Sequence, residues 1–153
     1  MNPEELKIKE NTVSFANTNK ESIAKEITRI DIFLPEENPV SVFMAGSPGA
    51  GKTESSKNLI EKFSKGVNKI LRIDPDELRV LIPGYTGDNS YLFHGAVSIL
   101  VSKIHDLALG NKQSFVFDGT LSNTEKAKEN IKRSLKRKRF VQTTLADFLP
   151  ITL

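Results

Sequence analysis

One stretch of the sequence decides the expected fold: Val40-Ser41-Val42-Phe43-Met44-Ala45, followed directly by Gly46-Ser47-Pro48-Gly49-Ala50-Gly51-Lys52-Thr53. The second part satisfies the Walker A pattern G-x-x-x-x-G-K-[ST] at every position. Glycines let the backbone curl around an anion, so that successive N–H groups point inward. Lys52 can then reach the outer phosphates of a nucleotide, and the Thr53 hydroxyl can hold Mg²⁺. All eight residues from Gly46 to Thr53 are therefore predicted to bind nucleotide phosphates.

The flanking residues supply the context that this motif requires. Val40–Ala45 is short and mostly apolar, which is typical of a buried parallel strand. The residues from Thr53 to Ser64 place Leu59, Ile60 and Phe63 on one side of a predicted amphipathic helix. A helix start at this point completes an anion site with its free N–H groups and its dipole. The order of strand, glycine loop and helix favours a phosphate site over a glycine-rich turn that binds nothing.

Composition limits the class of protein. The chain has 153 residues, of which 38% are hydrophobic and 27% charged, as in an ordinary globular domain. It lacks cysteine, which excludes disulfides, thiolate metal sites and thiol catalysis. The apolar runs are too short to span a bilayer, and the charged first ten residues do not resemble a signal peptide. We therefore predict a cytoplasmic protein that has no membrane partner.

The N-terminal part is predicted to be only partly ordered. Residues 1–17 are polar and lack a period, so we expect them to be loosely held. A capping box then precedes isoleucines at helical spacing, which predicts a helix from Asn19 to about Phe33. The helix could pack on the edge of the domain or cover the nucleotide site. We place the domain boundary here, with residues 1–38 separate from a P-loop kinase domain in 39–153.

A second strand is predicted to end in an acidic block. The segment from Lys69 to Ile73 is expected to be that strand, and Asp74-Pro75-Asp76 follows it. Asp74 is suited to cap a helix that has Pro75 in its first position. Asp76 then lies at the carboxyl end of a strand, where open α/β sheets bind ligands. Its carboxylate could accept a proton from a substrate hydroxyl, or could simply complement the helix dipole, and the residues alone leave both interpretations open.

A third strand carries the next candidate acid. It is predicted over Gln113–Phe117 and is followed by Asp118-Gly119-Thr120. In a chain with a P-loop, an acid at this position suggests the Walker B residue that supports Mg²⁺. An ordinary Asp-Gly turn is the alternative. Between the two acidic blocks, a long helix is predicted from about Leu92 to Gly110, and its two histidines are interpreted as surface or packing residues.

The C-terminal part is basic. A helix is predicted over Thr124–Arg137, with Ala127, Ile131 and Leu135 buried. Its other faces and the residues after it carry a run of basic side chains, which we interpret as a solvated surface rather than a nucleic-acid site: Lys126, Lys128, Lys132, Arg133, Lys136, Arg137, Lys138 and Arg139. A fourth strand is predicted from Phe140. The β-α-β alternation predicts an α/β, three-layer P-loop NTPase or kinase fold, with a mostly parallel sheet between helices.

Three blocks in this order resemble the zeta-toxin family of P-loop kinases, the toxins of bacterial toxin–antitoxin pairs. The blocks are Gly46–Thr53, Ile73-Asp74-Pro75-Asp76 with Arg79 downstream, and Asp118-Gly119-Thr120. The resemblance implies phosphorylation of a sugar hydroxyl of UDP-N-acetylglucosamine by ATP or GTP with Mg²⁺, which blocks cell-wall synthesis. It also implies an antitoxin partner.

The resemblance assigns roles to individual residues. It implies that Asp76 is the base on the sugar hydroxyl and that Lys52 binds the transferred phosphate. Thr53 is implied on Mg²⁺ with Asp118 in support, and Arg79 and Thr120 near the sugar nucleotide. These assignments select the catalytic interpretation of Asp76, which the residues alone left open.

Three differences between this sequence and the family pattern leave alternative functions open. Ile82-Pro83 stands where the family often has His-Pro, and no carboxylate occurs between Asp88 and Asp106, where the family has a substrate-contacting Glu. No Lys or Arg follows Arg139, although the family continues into a lid with arginines. We therefore expect a member truncated in the lid and last strand. The alternatives are a kinase for another small molecule or nucleotide, and a nucleotide-binding remnant without catalysis.

Overall fold

The computed structural model describes residues 1–45, 69–119 and 124–145. The chain divides into two compact units. One unit comprises residues 1–28 and 74–107, and the other comprises 29–73 and 108–153. The second unit carries the sheet, and the first carries helices and the loop that follows the acidic block.

Four strands form one sheet: β1 (Val40–Ala45), β2 (Leu71–Ile73), β3 (Phe115–Asp118) and β4 (Phe140–Leu145). Their order is β2-β3-β1-β4, and every pair is parallel. The predicted α/β class with a parallel sheet is confirmed. The bounds of β1 are those that the sequence predicts, whereas β2 and β3 each begin two residues later than expected. Among the described strands, β4 lies at an edge.

The pleat gives the sheet two different faces. Phe43 and Phe117 stack with ring centroids 5.8 Å apart, and Phe43 meets Phe115 edge-on at 5.9 Å. The opposite face is aliphatic, with Val42, Met44 and Val116 almost fully buried. Aromatic rings therefore fill one side of the sheet and branched or flexible aliphatic chains the other, so register slips are disfavoured on both sides.

Helix α4 (Thr124–Lys136) packs on the aromatic side through a polar contact. The Ser134 hydroxyl donates to the Ser41 hydroxyl at 2.9 Å, and both side chains are fully buried. The prediction for Leu135 is wrong, since this side chain is 51% exposed. The buried side of the helix includes Ile131 and Ser134, and two small hydroxyl side chains make the contact with the sheet.

The largest correction concerns the N-terminus. Helix α1 runs over Pro3–Ile27, so residues 1–17 are not loosely held and the helix does not begin at Asn19. Its start is a capping box, in which Asn2 accepts from the backbone N–H of Glu5 and Glu5 accepts from that of Asn2. Proline in the first position and acidic residues in the first turn strengthen this start. A hydrophobic period is lacking because the buried side chains are small: Thr12, Ala16 and Ala24.

The first unit also contains α2 (Pro75–Arg79), a 3₁₀ turn (Ser90–Leu92) and most of α3 (His94–Gly110). Helices α1 and α3 run in the same direction, because Val13 lies beside Gly95 and Glu21 lies beside Lys103. The Thr12 hydroxyl donates to the Leu92 carbonyl at 3.3 Å, and Glu21 pairs with Lys103 at 3.6 Å. The structure thus supports the interpretation of α1 as a packed helix, and the predicted helix end near Gly110 is confirmed.

A tyrosine of the 3₁₀ turn bonds to a glutamate in the first turn of α1, and this hydrogen bond predicts that the stability of the fold depends on pH. Tyr91 Oη donates to Glu5 Oε1 at 2.6 Å, which lowers the pKa of Glu5 below 4.5 and raises that of Tyr91. The contact should therefore stabilise the fold fully between pH 4.5 and pH 10.0, and lose its effect as the pH falls through the lowered pKa of Glu5 or rises through the raised pKa of Tyr91. We expect Tyr91→Phe to raise the Glu5 pKa, as measured by NMR titration of its carboxyl carbon. An unchanged Glu5 titration would contradict the contact.

Within the described ranges, no helix has the length and hydropathy that crossing a bilayer requires.

Candidate functional site

Part of the predicted site lies outside the described residues. This applies to the phosphate loop from Gly46 to Thr53, the helix predicted after it, and Thr120. The described chain nevertheless leads into the loop in the expected way. Strand β1 lies between β3 and β4, and its last residue, Ala45, directly precedes Gly46, the first residue of the motif. The motif therefore follows the carboxyl end of an interior parallel strand, where such sheets place their ligands.

Asp118 lies at the same edge, at the end of β3. It pairs with Met44 of β1 in the parallel ladder, and the N–H of Gly119 donates to the Met44 carbonyl at 3.2 Å. The Asp118 side chain is fully buried. Arg72 of β2 lies on the same face of the sheet, and its Nη2 donates to Asp118 Oδ2 at 2.6 Å. The carboxyl edge thus contains a buried ion pair that joins two neighbouring strands.

Arg72 is a residue of this edge that no sequence motif indicates. A lone arginine inside an apolar strand carries no motif, and the strand pattern alone favours a solvent-facing position. Its side chain is instead only 10% exposed. The sequence does show a charged residue within one predicted strand, Arg72, and another directly after the next predicted strand, Asp118. Those two strands become neighbours only in the folded sheet, so the sequence does not show that the charges pair.

The ion pair bears on the magnesium site predicted at Asp118. A magnesium ion prefers octahedral oxygen ligands at about 2.0–2.1 Å and keeps several waters. Asp118 has no solvent exposure, and one of its oxygens accepts a short bond from a guanidinium. Arg72 thus engages one of the two Asp118 oxygens, and the magnesium role of Asp118 stays a prediction. Among the described residues, no group of three or more acidic or histidine side chains is arranged to hold a metal ion.

The acidic block in the first unit has two carboxylates in different environments. Asp74 is buried and caps α2, since its Oδ1 accepts from the backbone N–H of Asp76 at 2.9 Å. The predicted capping role of Asp74 is confirmed. The Asp76 side chain is 68% exposed, and its Oδ1 lies 3.2 Å from Arg79 Nη2. Asp76 is thus the carboxylate of this pair that solvent can reach, and a guanidinium orients it.

Arg79 is held by an aromatic pair. Its guanidinium carbon lies 5.8 Å from the centre of the Tyr85 ring, and Tyr85 meets Phe93 edge-on at 5.5 Å. Gly84 and Gly87 flank Tyr85 with φ of +95° each, a backbone conformation that favours glycine. The loop therefore has a defined shape, and Tyr85, which the sequence analysis did not single out, fixes the predicted substrate arginine.

Arg139 lies at the amino ends of the strands, opposite the carboxyl edge. Its Nε donates to Ser41 Oγ at 2.7 Å, its Nη2 donates to the carbonyls of Val40 and Gln113, and its guanidinium lies over the Phe115 ring. These partners lie where β1 and β3 begin. The prediction of a solvated position for Arg139 is wrong, because it bonds strand ends that the sheet brings together. It is a structural residue and lies away from the carboxyl edge.

Comparison with known proteins shows the fold and the family. A chain from a solved structure, described as the PezAT chromosomal toxin–antitoxin system of the human pathogen Streptococcus pneumoniae, matches with a TM-score of 0.68. The match has 20% sequence identity and covers 89% of this chain, which spans 56% of that chain. Among curated proteins, none is similar enough to count as a match. The sequence model of the family described as zeta toxin matches residues 23–144, so the chain belongs to the zeta toxin family.

Proposed function

We propose that the protein is a phosphotransferase that moves the γ-phosphate of ATP or GTP to a sugar hydroxyl of UDP-N-acetylglucosamine. The observation that carries the proposal is the environment of Asp76: an exposed carboxylate, oriented by Arg79, at the start of the helix after β2. Family membership and the Walker A motif at the end of β1 support the same reaction class.

In the proposed reaction, Asp76 accepts the proton of the acceptor hydroxyl. The freed oxygen attacks the γ-phosphorus, the bond from that phosphorus to the bridging oxygen breaks, and the nucleoside diphosphate leaves. Lys52 binds the transferred phosphate, and Arg79 with Thr120 binds the sugar nucleotide. Mg²⁺, bound through the nucleotide and Thr53, would neutralise phosphate charge. Phosphoryl transfer depends mainly on positioning and charge neutralisation, so few residues suffice.

A binding experiment and an acceptor panel test this proposal. A fluorescent ATP analogue should bind the chain in the presence of Mg²⁺, and Lys52→Ala should weaken binding strongly because the lysine contacts the outer phosphates. Release of ADP should then require UDP-N-acetylglucosamine and not other sugars, nucleosides or small alcohols. Release with a different acceptor would contradict the proposed substrate, and absence of nucleotide binding would contradict the enzyme.

We also propose an antitoxin protein as partner, because the solved relative comes from a toxin–antitoxin system. A cytoplasmic location remains a prediction of the sequence.

A further inference from the structure

The aromatic contact of Arg79 points to a residue of the acceptor site that the sequence motifs do not include. We propose that Tyr85 is a positioning residue for acceptor binding, because its ring holds the Arg79 guanidinium beside Asp76. The inference rests on the proposed function, since it concerns the two residues that the proposed reaction assigns to the acceptor.

The surroundings of Arg79 carry the first step. Among the described residues, a carboxylate and an aromatic ring interact with its guanidinium: Asp76 Oδ1 lies 3.2 Å from Nη2, and the centre of the Tyr85 ring lies 5.8 Å from the guanidinium carbon. The Arg79 side chain is 17% exposed and its Nε is buried, whereas Asp76 is 68% exposed. An ion pair with so exposed a partner contributes little to fixing either side chain. The ring is therefore the partner that keeps the guanidinium in place.

The ring itself is fixed from two directions. Phe93, which is fully buried, meets it edge-on with the centroids 5.5 Å apart. The Asn89 side chain bonds the backbone on both sides of Tyr85, since its Nδ2 donates to the Gly84 carbonyl and its Oδ1 accepts from the Thr86 N–H, each at 3.0 Å. The position of the ring is thus set before any acceptor binds.

The chemistry of the contact carries the second step. An aromatic face attracts a guanidinium without using any of its five N–H donors. A carboxylate in the place of the ring would take up donors and neutralise the charge. With Tyr85 as its support, Arg79 keeps donors and positive charge for an anionic acceptor, such as the diphosphate of a sugar nucleotide.

Acceptor kinetics test this inference. The full chain is assayed with UDP-N-acetylglucosamine at saturating Mg-ATP. Tyr85→Leu should lower kcat/KM for the acceptor by about 3–10-fold, as expected for loss of one cation–π contact. Tyr85→Phe keeps the ring and should stay within about twofold of wild type, and neither variant should change affinity for the fluorescent ATP analogue.

Tyr91→Leu is the matched control, because it makes the same substitution at the other tyrosine of the chain. The Tyr91 side chain is 52% exposed and bonds to Glu5 instead of Arg79. Its acceptor kcat/KM should stay within about twofold of wild type.

A double-mutant cycle separates positioning from a general effect on the loop. In an Arg79→Ala background, Tyr85→Leu should cause no further loss of kcat/KM, because Tyr85 acts through the arginine that is already absent. A residue that only supports the fold would cause its full loss again in that background. Such multiplied losses would overturn the inference.

Hydrogen exchange at Arg79 Nε supplies a measurement that needs no activity. Its NMR signal is assigned by its absence in Arg79→Lys. Because Nε is buried, exchange of its proton with water should be slow in the wild type and in Tyr85→Phe, and about 3–10-fold faster in Tyr85→Leu.

The outcomes separate the two proposals. Unchanged exchange in Tyr85→Leu, or an equal loss of kcat/KM in Tyr85→Phe and Tyr85→Leu, would overturn the role of the ring and leave the proposed function intact. A wild-type chain that transfers no phosphate to UDP-N-acetylglucosamine would overturn the proposed acceptor and the acceptor role of Tyr85 with it. If Tyr85→Leu does not fold, Tyr85→Met removes the ring with a longer side chain and replaces it in each measurement.

Discussion

Asp76→Asn should reduce phosphoryl transfer by about 10²–10⁴-fold, the usual contribution of a positioned general base. The asparagine amide has nearly the shape of the carboxylate but cannot accept the acceptor proton. Nucleotide binding should be retained, because the proposed role of Asp76 is on the acceptor. Stability should change by less than about 1 kcal/mol, since the side chain is 68% exposed and its pairing with Arg79 is a surface contact.

Glu77→Gln is the matched control for this variant. Glu77 is the next residue of α2, is also exposed, and loses the same charge on substitution. Its turnover should remain within about twofold of wild type, because a surface substitution outside the site has little effect. Equal losses in the two variants would indicate a general effect of charge in the first turn of α2 and contradict a base at Asp76.

Arg139→Met should lower the free energy of unfolding by about 2–3 kcal/mol, the largest stability effect that we expect from one side chain. The side chain is 7% exposed, and the substitution removes donors to Ser41 and to the carbonyls of Val40 and Gln113. Each buried carbonyl left without its donor costs about 1–3 kcal/mol, whereas Ser41 still accepts from the Ser134 hydroxyl. Burial, together with the charge of Arg137, lowers the pKa of Arg139 to about 10, so the buried charge has a cost that the substitution relieves and the net effect stays below the full sum.

Arg137→Met is the control for the loss of a positive charge in the same run. Arg137 is exposed, and its charge disfavours that of Arg139. Its removal should change stability by no more than about 0.5 kcal/mol. Urea denaturation followed by circular dichroism measures both variants. If Arg139→Met and Arg137→Met have equal midpoints, the buried network does not stabilise the sheet.

Local patterns of the sequence were sufficient for β1 and for the cap of α2. Val40–Ala45 is bounded by a proline and a glycine and is mostly apolar, so both ends could be predicted. Asp74 precedes a proline in the first helical position, which leaves few alternatives for its side chain. In both cases the information lies in adjacent residues, and the structure agrees with the prediction.

Contacts between distant residues account for what the sequence did not reveal. Helix α1 buries Thr12, Ala16 and Ala24, which hydrophobic periodicity does not register, and its start depends on the capping box at Asn2. Within the basic run, nothing in the local pattern separates Arg139 from Arg137. Only the assembled sheet brings the first residues of β1 and β3 to one guanidinium.

The same distinction applies to the candidate site. The position of Asp118 at the end of its own strand predicts an acid that supports magnesium, and this role stays a prediction. Arg72 belongs to another strand, 46 residues away in the chain, and becomes its partner because β2 and β3 are neighbours. A motif identifies the residue types of a site, whereas the sheet order determines which of them are already engaged.

Phosphorus NMR of the purified chain with Mg-ATP and UDP-N-acetylglucosamine tests the central claim most directly, with Asp76→Asn measured in parallel. The proposed function predicts a new sugar-phosphate resonance that grows as the γ-phosphate signal of ATP declines, and that is absent in the variant. An unchanged spectrum with the wild-type chain, although ATP still raises its melting temperature, would contradict the kinase assignment and leave a nucleotide-binding protein. A new resonance that persists in Asp76→Asn would contradict the role of Asp76.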